Sequence, residues 1–155
     1  SLYSARLDKW FAEHVNSEFP TLRADALRLL QEEAELNEIV QLVGVDALSH
    51  GDRLILETAR SIREDFLHQN SFHEIDTYTP LRKQYLMMKL VLAFYEKSVD
   101  ALNKGADMNA LIAMPVREKI GRYKYTTDAD IESEYKNVEE ELDKEVAAAF
   151  GKEDF

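Results

Sequence analysis

Residues that could hold a triphosphate are the first candidates for chemistry in this 155-residue sequence. A phosphate-binding loop needs a glycine-rich turn that ends in Gly-Lys-Ser or Gly-Lys-Thr before a helix. The only Gly-Lys pair is Gly151-Lys152, and Glu153 follows it in an acidic terminus. The sequence therefore contains no phosphate loop of this type.

Residues 68–79 have no helical stripe and are predicted to form a loop, and its histidines and carboxylates could in principle bind a metal ion. They are His68, His73, Glu74 and Asp76. The inward-facing Glu-x-x-His pairs of di-iron bundles are absent, and so is the His-Glu-x-x-His pattern of helical zinc sites. We therefore interpret these histidines as surface residues and predict no metal site.

Nucleophilic and acid–base catalysis also find no candidate residue. There is no cysteine, which excludes a thiol nucleophile, a disulfide and a Cys-bearing zinc site. No serine has a base arranged to activate it. We interpret the carboxylates around Glu139 to Glu141 as a solvated helix face. None of these carboxylates has the apolar surroundings that adjust the pKa of a general acid or base. We predict no catalytic residue in this chain.

Apolar and aromatic side chains interrupt the polar segment of residues 69–79. Phe72, Ile75 and Tyr78 lie there, and they either pack into the core of the domain or remain available to a ligand. An exposed aromatic ring can stack on a purine, which contributes about 1–3 kcal/mol per base in nucleic-acid complexes. A second unusual connection, residues 45–52, combines Val45 and Leu48 with acidic neighbours.

The elements that position these segments are all predicted to be helices. Helical periodicity covers nearly the whole chain, and no stretch alternates as a strand does. We predict an all-α fold, a compact bundle of about five to seven helices in one domain over residues 1–155. The predicted helices span residues 3–15, 20–43, 52–67, 80 up to Gly105, 108–114, 115–123 and 130–150.

Two of these helices have informative stripes. In the second, Leu36, Ile39 and Val43 continue an apolar stripe to the stop at Gly44. The fourth helix has the clearest pattern, with apolar residues at alternating spacings of four and three. A second row of apolar residues widens this stripe, so we expect the helix to be central and buried on more than one side. The stripe is Leu81, Tyr85, Met88, Leu92, Tyr95, Val99 and Leu102, widened by Met87, Val91 and Phe94.

The net charge of −11, from 30 acidic and 19 basic residues, disfavours nucleic acid and anionic membranes and favours basic partners. The longest apolar run, residues 85–95, contains Lys89 and is shorter than the ~20 residues that span a bilayer. We therefore predict neither nucleic-acid binding nor membrane insertion. The chain opens at Ser1 directly in a helical pattern, as an excised domain would.

Four ordered motifs give the chain a family resemblance. They are L-Q-E-E-A-E-L at residues 30–36, I-V-Q-L-V-G at 39–44, R-x-I-R-E-D-F-L-x-Q-N-x-F at 60–72 and P-V-R-E-x-I-x-R at 115–122. Together they resemble the C-terminal helical domain of the catalytic A (alpha) subunit of archaeal and vacuolar-type (A/V-type) rotary ATPases and ATP synthases. The similarity covers nearly the whole chain and is weakest after Lys124.

The resemblance implies a parent subunit with a β-barrel and a nucleotide-binding domain before Ser1. That parent would be an ion-translocating ATPase or ATP synthase binding ATP or ADP with Mg²⁺, whereas this fragment alone would bind no cofactor and have no activity. The implied partners are the nucleotide-binding domain of the same subunit, the non-catalytic B subunits and the central stalk. The implied location is cytoplasmic, in the soluble head peripheral to the membrane.

The F-type β subunit, a more distant relative, has similar segments in the same order along the chain. This similarity implies two sites. Its D-E-L-S-E-E-D segment presses on the rotating stalk and aligns with residues 46–52 of this chain. Ala47 and the His50-Gly51 pair replace acidic residues of that segment. The implied rotor-contact residues are Asp46, Ala47, Leu48, Ser49, His50, Gly51 and Asp52. Its Q-P-F-Q-V-A-E-V-F-T segment aligns with residues 69–79, and the implied adenine-binding residues are Phe72, Ile75, Tyr78 and Thr79.

The resulting hypothesis is a helical lever that completes the adenine pocket and couples nucleotide-driven closure to the central stalk. One alternative is a stand-alone acidic helical adaptor whose aromatic residues are core. Another is a metal-dependent helical-bundle enzyme, and a third is a non-catalytic B-type subunit of the same machine, although the R-E-D-F-L run favours the A subunit.

Overall fold

The computed structural model describes residues 17–66 and 78–150, and the regular secondary structure of these ranges is helical. The all-α prediction is confirmed. The helix predicted over residues 3–15 lies outside the described residues. The α-helices are α1 Phe19–Val43, α2 His50–Ser61, α3 Tyr78–Asn103, α4 Met108–Ile112, α5 Val116–Arg122 and α6 Ile131–Ala148. Short 3₁₀ turns lie at Val45–Ala47, Tyr123–Tyr125 and Asp128–Asp130, and a π turn at Ile62–Phe66 follows α2.

Proline and glycine set the ends of the long helices, as the sequence indicates. Pro20 lies in the first turn of α1, where its missing N–H costs no hydrogen bond. Gly44 ends α1 with a φ of 90°, and its N–H donates to the Val40 carbonyl at 2.8 Å. Gly105 follows α3 with a φ of 103°. Both lie in the left-handed region that favours glycine.

Helix α3 is the centre of the fold, as its wide stripe predicts. It packs against α1, α2, α5 and α6. Because these neighbours surround it, buried side chains point in several directions rather than along one stripe. The buried residues of α3 are Tyr85, Leu86, Met87, Met88, Leu90, Val91, Leu92, Phe94, Ser98 and Ala101.

The end of the third predicted helix differs from expectation. We predicted a continuous helix to Leu67, but the α-helix ends at Ser61 and continues as the π turn Ile62–Phe66. A π turn widens the helix by one residue. It leaves Ile62 in the core and Arg63 pointing to Glu33 of α1.

The C-terminal end of α1 also corrects the sequence prediction. Ile39 and Val43 were expected on the apolar stripe, but they are 44% and 64% exposed. From Asn37 to Ala47, every residue except Val40 is exposed. The apolar pattern of α1 therefore continues beyond the part of the helix that the core covers.

A partly buried ion pair ties the π turn to α1. Arg63 donates to both carboxylate oxygens of Glu33, from Nε at 3.2 Å and from Nη2 at 2.6 Å. Glu33 is buried, so this two-point contact compensates the loss of water around its charge. The pair therefore links the π turn after α2 to α1.

Replacing Ser98 by alanine should stabilise the fold. The Ser98 side chain is fully buried, and its hydroxyl has no hydrogen-bond partner among the described residues. An unsatisfied buried hydroxyl costs about 1–3 kcal/mol. We expect Ser98→Ala to raise the free energy of unfolding by about 1 kcal/mol, measured by urea denaturation. The control is Ser133→Ala, at an exposed serine of α6, which should not stabilise. A loss of stability in Ser98→Ala would contradict the assignment of an unpaired hydroxyl.

Candidate functional site

The residues implied to contact adenine flank or fall within the segment that is not described. Phe72 and Ile75 lie outside the described residues, and Tyr78 and Thr79 are the first two residues of α3. The predicted loop therefore ends two residues earlier than expected, because the helix begins before Pro80. The structure describes the two flanks of this segment: the π turn that ends at Phe66, and the start of α3.

The residues implied to contact a rotor form the junction between α1 and α2. Asp46 and Ala47 belong to the 3₁₀ turn and are exposed. Leu48 points inward and is only 8% exposed. Its side chain is therefore placed to hold the junction against the core rather than to meet a partner.

The remaining junction residues begin α2. The Ser49 side chain caps the helix, because its Oγ accepts a hydrogen bond from the Asp52 backbone N–H at 3.1 Å. Ser49 and His50 are exposed, whereas Gly51 and Asp52 are half-buried. Asp52 lies in the first turn, where a negative charge interacts favourably with the helix dipole.

Four exposed apolar residues surround this junction, and sequence reasoning missed them as a surface. Leu42 is 83% exposed and Val45 is 46% exposed, beside the exposed Ile39 and Val43. We call Ile39, Leu42, Val43 and Val45 the apolar tip. A contiguous exposed apolar patch is typical of an interaction surface. Leu42 was the available signal, because it lies off the predicted stripe yet is apolar, next to the stop at Gly44.

A second cluster is centred on Arg117, in the P-V-R-E-x-I-x-R motif. Its guanidinium donates to Glu57 Oε1 at 3.0 Å, to the Ile112 carbonyl at 3.0 Å and to Ser61 Oγ at 3.2 Å. It also stacks over the Phe94 ring, 4.8 Å from the ring centre. One largely buried side chain thus joins α2, α3 and the α4–α5 connection.

Close packing at Gly121 joins α5 to the π turn. A Cβ atom at this position would lie 3.0 Å from Asp65 Oδ1, so a larger residue would have to displace the carboxylate. Burial raises the pKa of the Asp65 carboxyl, and the nearby Lys124 ammonium opposes that shift. The lack of a side chain at Gly121 thus leaves room for the Asp65 carboxylate, and the fit does not depend on a positive φ.

Lysine and arginine side chains join the start of α3 to the turn after α5. Lys83 Nζ donates to the Lys124 carbonyl at 3.2 Å and to the Thr126 carbonyl at 2.6 Å. Arg82 makes a two-point contact to Glu132, at 2.7 and 3.0 Å, which lowers the pKa of that carboxyl. These cations are engaged by acceptors of the same chain.

The described residues show neither a metal cluster nor a bilayer-spanning helix. Within residues 17–66 and 78–150, no group of three or more His, Asp and Glu side chains could hold a metal ion. Across the same ranges, no helix combines the length and apolarity that crossing a bilayer requires. What the described arrangement offers chemically is one apolar contact surface and a network of paired charges.

Two leucines six residues apart test this assignment of roles. Leu48→Ala should lower the free energy of unfolding by about 2–4 kcal/mol, because it removes a buried side chain and leaves a cavity. Leu42→Ala should change it by no more than about 0.5 kcal/mol, because Leu42 is almost fully exposed. Chemical denaturation of both variants measures the difference. Equal losses would mean that the inward and outward assignments are wrong.

Comparison with known proteins places the chain in a family. A family model described as the C-terminal domain of V and A type ATP synthase matches residues 8–112. The V-type ATP synthase alpha chain of Acetivibrio thermocellus is 54% identical over 153 residues, which cover 99% of this chain and 26% of that protein. The corresponding alpha chain of Clostridioides difficile is 57% identical over 147 residues, or 95% of this chain and 25% of that protein.

A third alpha chain, from Thermoanaerobacter pseudethanolicus, is 52% identical over 149 residues, 96% of this chain and 24% of that protein. The chain thus spans about a quarter of the length of the curated relatives it matches. The family match covers more than half of the chain, and the relatives align along nearly all of it. The chain therefore belongs to the family of C-terminal domains of V- and A-type ATP synthases.

Proposed function

We propose that this domain couples nucleotide binding in the catalytic A (alpha) subunit of a V/A-type ATP synthase to movement of the central stalk. The observation that supports the proposal is the position of two described features at opposite ends of α2. The apolar tip lies at its N-terminal end, and the π turn that leads into residues 67–77 lies at its C-terminal end. A helix of 12 residues separates them by roughly 18 Å.

The nucleotide surface is residues 72–79. In this proposal Phe72 lies against the adenine ring, with Ile75, Tyr78 and Thr79 near the base. The phosphates and Mg²⁺ are held by a nucleotide-binding domain of the same subunit, which agrees with the absence of a phosphate loop from this sequence. The chain by itself then has no ATPase activity.

The stalk surface is the α1–α2 junction, but its residues have different roles from those that the alignment implies. Asp46 and the apolar tip face outward, whereas Leu48 secures the junction to the core. The contact with the stalk is then mainly apolar, and not mainly an electrostatic contact between acidic residues of this domain and basic residues of the stalk. An apolar contact is much less sensitive to salt than one between exposed charges.

The mechanism is rigid-body closure. ATP that bridges the nucleotide-binding domain and residues 72–79 favours the closed arrangement, and its higher affinity for that arrangement supplies the work. Because α2 is capped at Ser49 and braced by Arg117 near its other end, a rotation of one end moves the other. The non-catalytic B subunits provide the surrounding ring in which this movement takes place.

Phe72→Ala tests the nucleotide surface in the complete enzyme. Loss of the stacking ring should weaken ATP binding by about 1–3 kcal/mol, measured as the dissociation constant in an equilibrium binding titration. Phe150→Ala is the matched control, because Phe150 follows the last helix and is partly exposed. It should bind ATP as the unchanged enzyme does. If Phe72→Ala also binds ATP normally, Phe72 does not contact the base.

Replacing the apolar tip tests the stalk surface. Leu42→Ser combined with Val43→Ser should reduce the torque or the coupling of hydrolysis to ion transport, while ATP affinity stays the same, because the tip is remote from the nucleotide. Single-molecule rotation of the complete complex measures the torque. Leu27→Ser is the control, since Leu27 is an equally apolar, 55% exposed residue of the same helix. Normal torque in the double variant would remove the tip from the contact.

A further inference from the structure

Three positively charged side chains in and after α5 form a surface of their own. Residues 117–124 contain four basic residues and one acidic residue, although the whole chain has a net charge of −11. Arg117 is paired with a carboxylate at 3.0 Å. In the part of the chain that the structure describes, no carboxylate oxygen lies within 4.0 Å of the charged nitrogen atoms of Lys119, Arg122 or Lys124. These three cations therefore make a local positive surface on an acidic domain.

An exposed aromatic ring lies beside two of these cations. Tyr125 is 68% exposed, and its ring centre is 5.8 Å from the guanidinium carbon of Arg122 and 5.6 Å from Lys124 Nζ. The face of an aromatic ring attracts a cation without cancelling its charge. The ring therefore keeps both cations near each other while their positive charge remains open to a partner. We call Lys119, Arg122, Lys124 and Tyr125 the basic patch.

The turn that carries Tyr125 is fastened to the core by hydrogen bonds. The preceding aromatic residue, Tyr123, is buried, and its hydroxyl donates to the Ile131 carbonyl at 2.7 Å. Lys83 Nζ donates to the backbone carbonyls of the residues on both sides of Tyr125, at 3.2 and 2.6 Å. These contacts order the turn before a partner arrives, which reduces the conformational entropy that binding would cost.

A cleft beside the basic patch has room for side chains of a partner. It lies between α5 and α6, has a volume of about 440 Å³, and is lined by Lys119, Arg122 and Tyr125 from the patch. Glu134 and Asn137 of α6 also line it, and both have side-chain oxygens that accept hydrogen bonds. The cleft thus combines cations for a carboxylate, a ring for an apolar group and acceptors for a backbone N–H, which are features that a polypeptide can match.

Acidic residues border the basic patch and limit the kind of partner that fits it. Glu134 lines the cleft. Glu118 adjoins Lys119 along the chain, and Glu141 interacts with it electrostatically. Duplex nucleic acid carries one negative charge per about 1.7 Å, and an anionic membrane is charged over its whole surface, so both would also meet these carboxylates. A protein segment can place one or two carboxylates opposite the cations and other residues beside them.

We propose that the basic patch binds an acidic segment of a neighbouring protein chain. Carboxylates of that segment pair with Arg122 and Lys119, and Tyr125 is the central anchor, since tyrosine and arginine are enriched among residues that dominate binding. This surface differs from the proposed stalk surface. The apolar tip lies at the N-terminal end of α2, whereas Lys124 and Tyr125 line a second cleft with Ser61, at the C-terminal end of α2. The inference therefore does not depend on the proposed function.

Site-specific cross-linking in the complete complex tests the inference. With p-benzoylphenylalanine in place of Tyr125, irradiation joins the patch covalently to the chain that lies on it, and mass spectrometry identifies the joined peptide. We expect a peptide of another protein chain in which Asp and Glu outnumber Lys and Arg. A cross-link to this same chain, to lipid or to nucleic acid, a peptide without an acidic excess, or no cross-link at all would overturn the inference.

Charge reversal shows whether the contact depends on the cations. Arg122→Glu, combined with the photoreactive residue, should lower the cross-linking yield by at least about threefold, because an attractive contact between exposed charges becomes repulsive. Lys119→Glu should act in the same direction, and the yield without either reversal should fall as salt is added. The control is Lys104→Glu, at an exposed lysine just after the C-terminal end of α3, which should leave the yield unchanged. Equal yields in Arg122→Glu and Lys104→Glu would contradict an ionic contact.

A compensating change in the partner completes the test. Replacing the acidic residue that faces Arg122 by lysine should restore the yield in Arg122→Glu. If no acidic residue of the cross-linked peptide restores it, the proposed pairing is wrong. Leu42→Ser combined with Val43→Ser should leave the cross-link unchanged, because the apolar tip is at the other end of α2. Normal torque in that double variant would remove the stalk assignment and leave this inference standing.

Discussion

The burial of α3 on several sides is the constraint on which the rest of the structure depends. Because α1, α2, α5 and α6 all pack against it, each is held relative to the others through one central helix. Fully buried residues such as Leu90 allow little change of volume, since protein interiors are close-packed. We expect a domain with this core to move as one body, which is the property that the proposed coupling between two surfaces requires.

Much of this architecture follows from local sequence signals. Pro20, Gly44 and Gly105 mark helix ends because their backbone restrictions act whatever the surroundings. The wide stripe of α3 predicts a central helix because apolar residues all round can be satisfied only by neighbours on several sides. The π turn after Ser61 has no such signal, since it depends on the contacts that Arg63 and Asp65 make with distant segments.

The proposed functional surfaces were less predictable than the fold. Periodicity shows that Ile39 and Val43 share a face, but not that the core ends before them. The same limit explains why Leu48 and Leu42 could not be assigned opposite directions from sequence: burial depends on what packs across from each residue, and that is tertiary information. Likewise, nothing near Lys83 in the sequence indicates that its acceptors lie more than forty residues away.

The bare apolar tip has a consequence for how the domain behaves in solution. Four exposed aliphatic residues on a small protein favour self-association when no partner covers them. The net charge of −11 opposes this, because two copies that approach each other repel over roughly a Debye length. The acidity of the domain thus opposes self-association through the apolar tip. This colloidal effect weakens as salt is added.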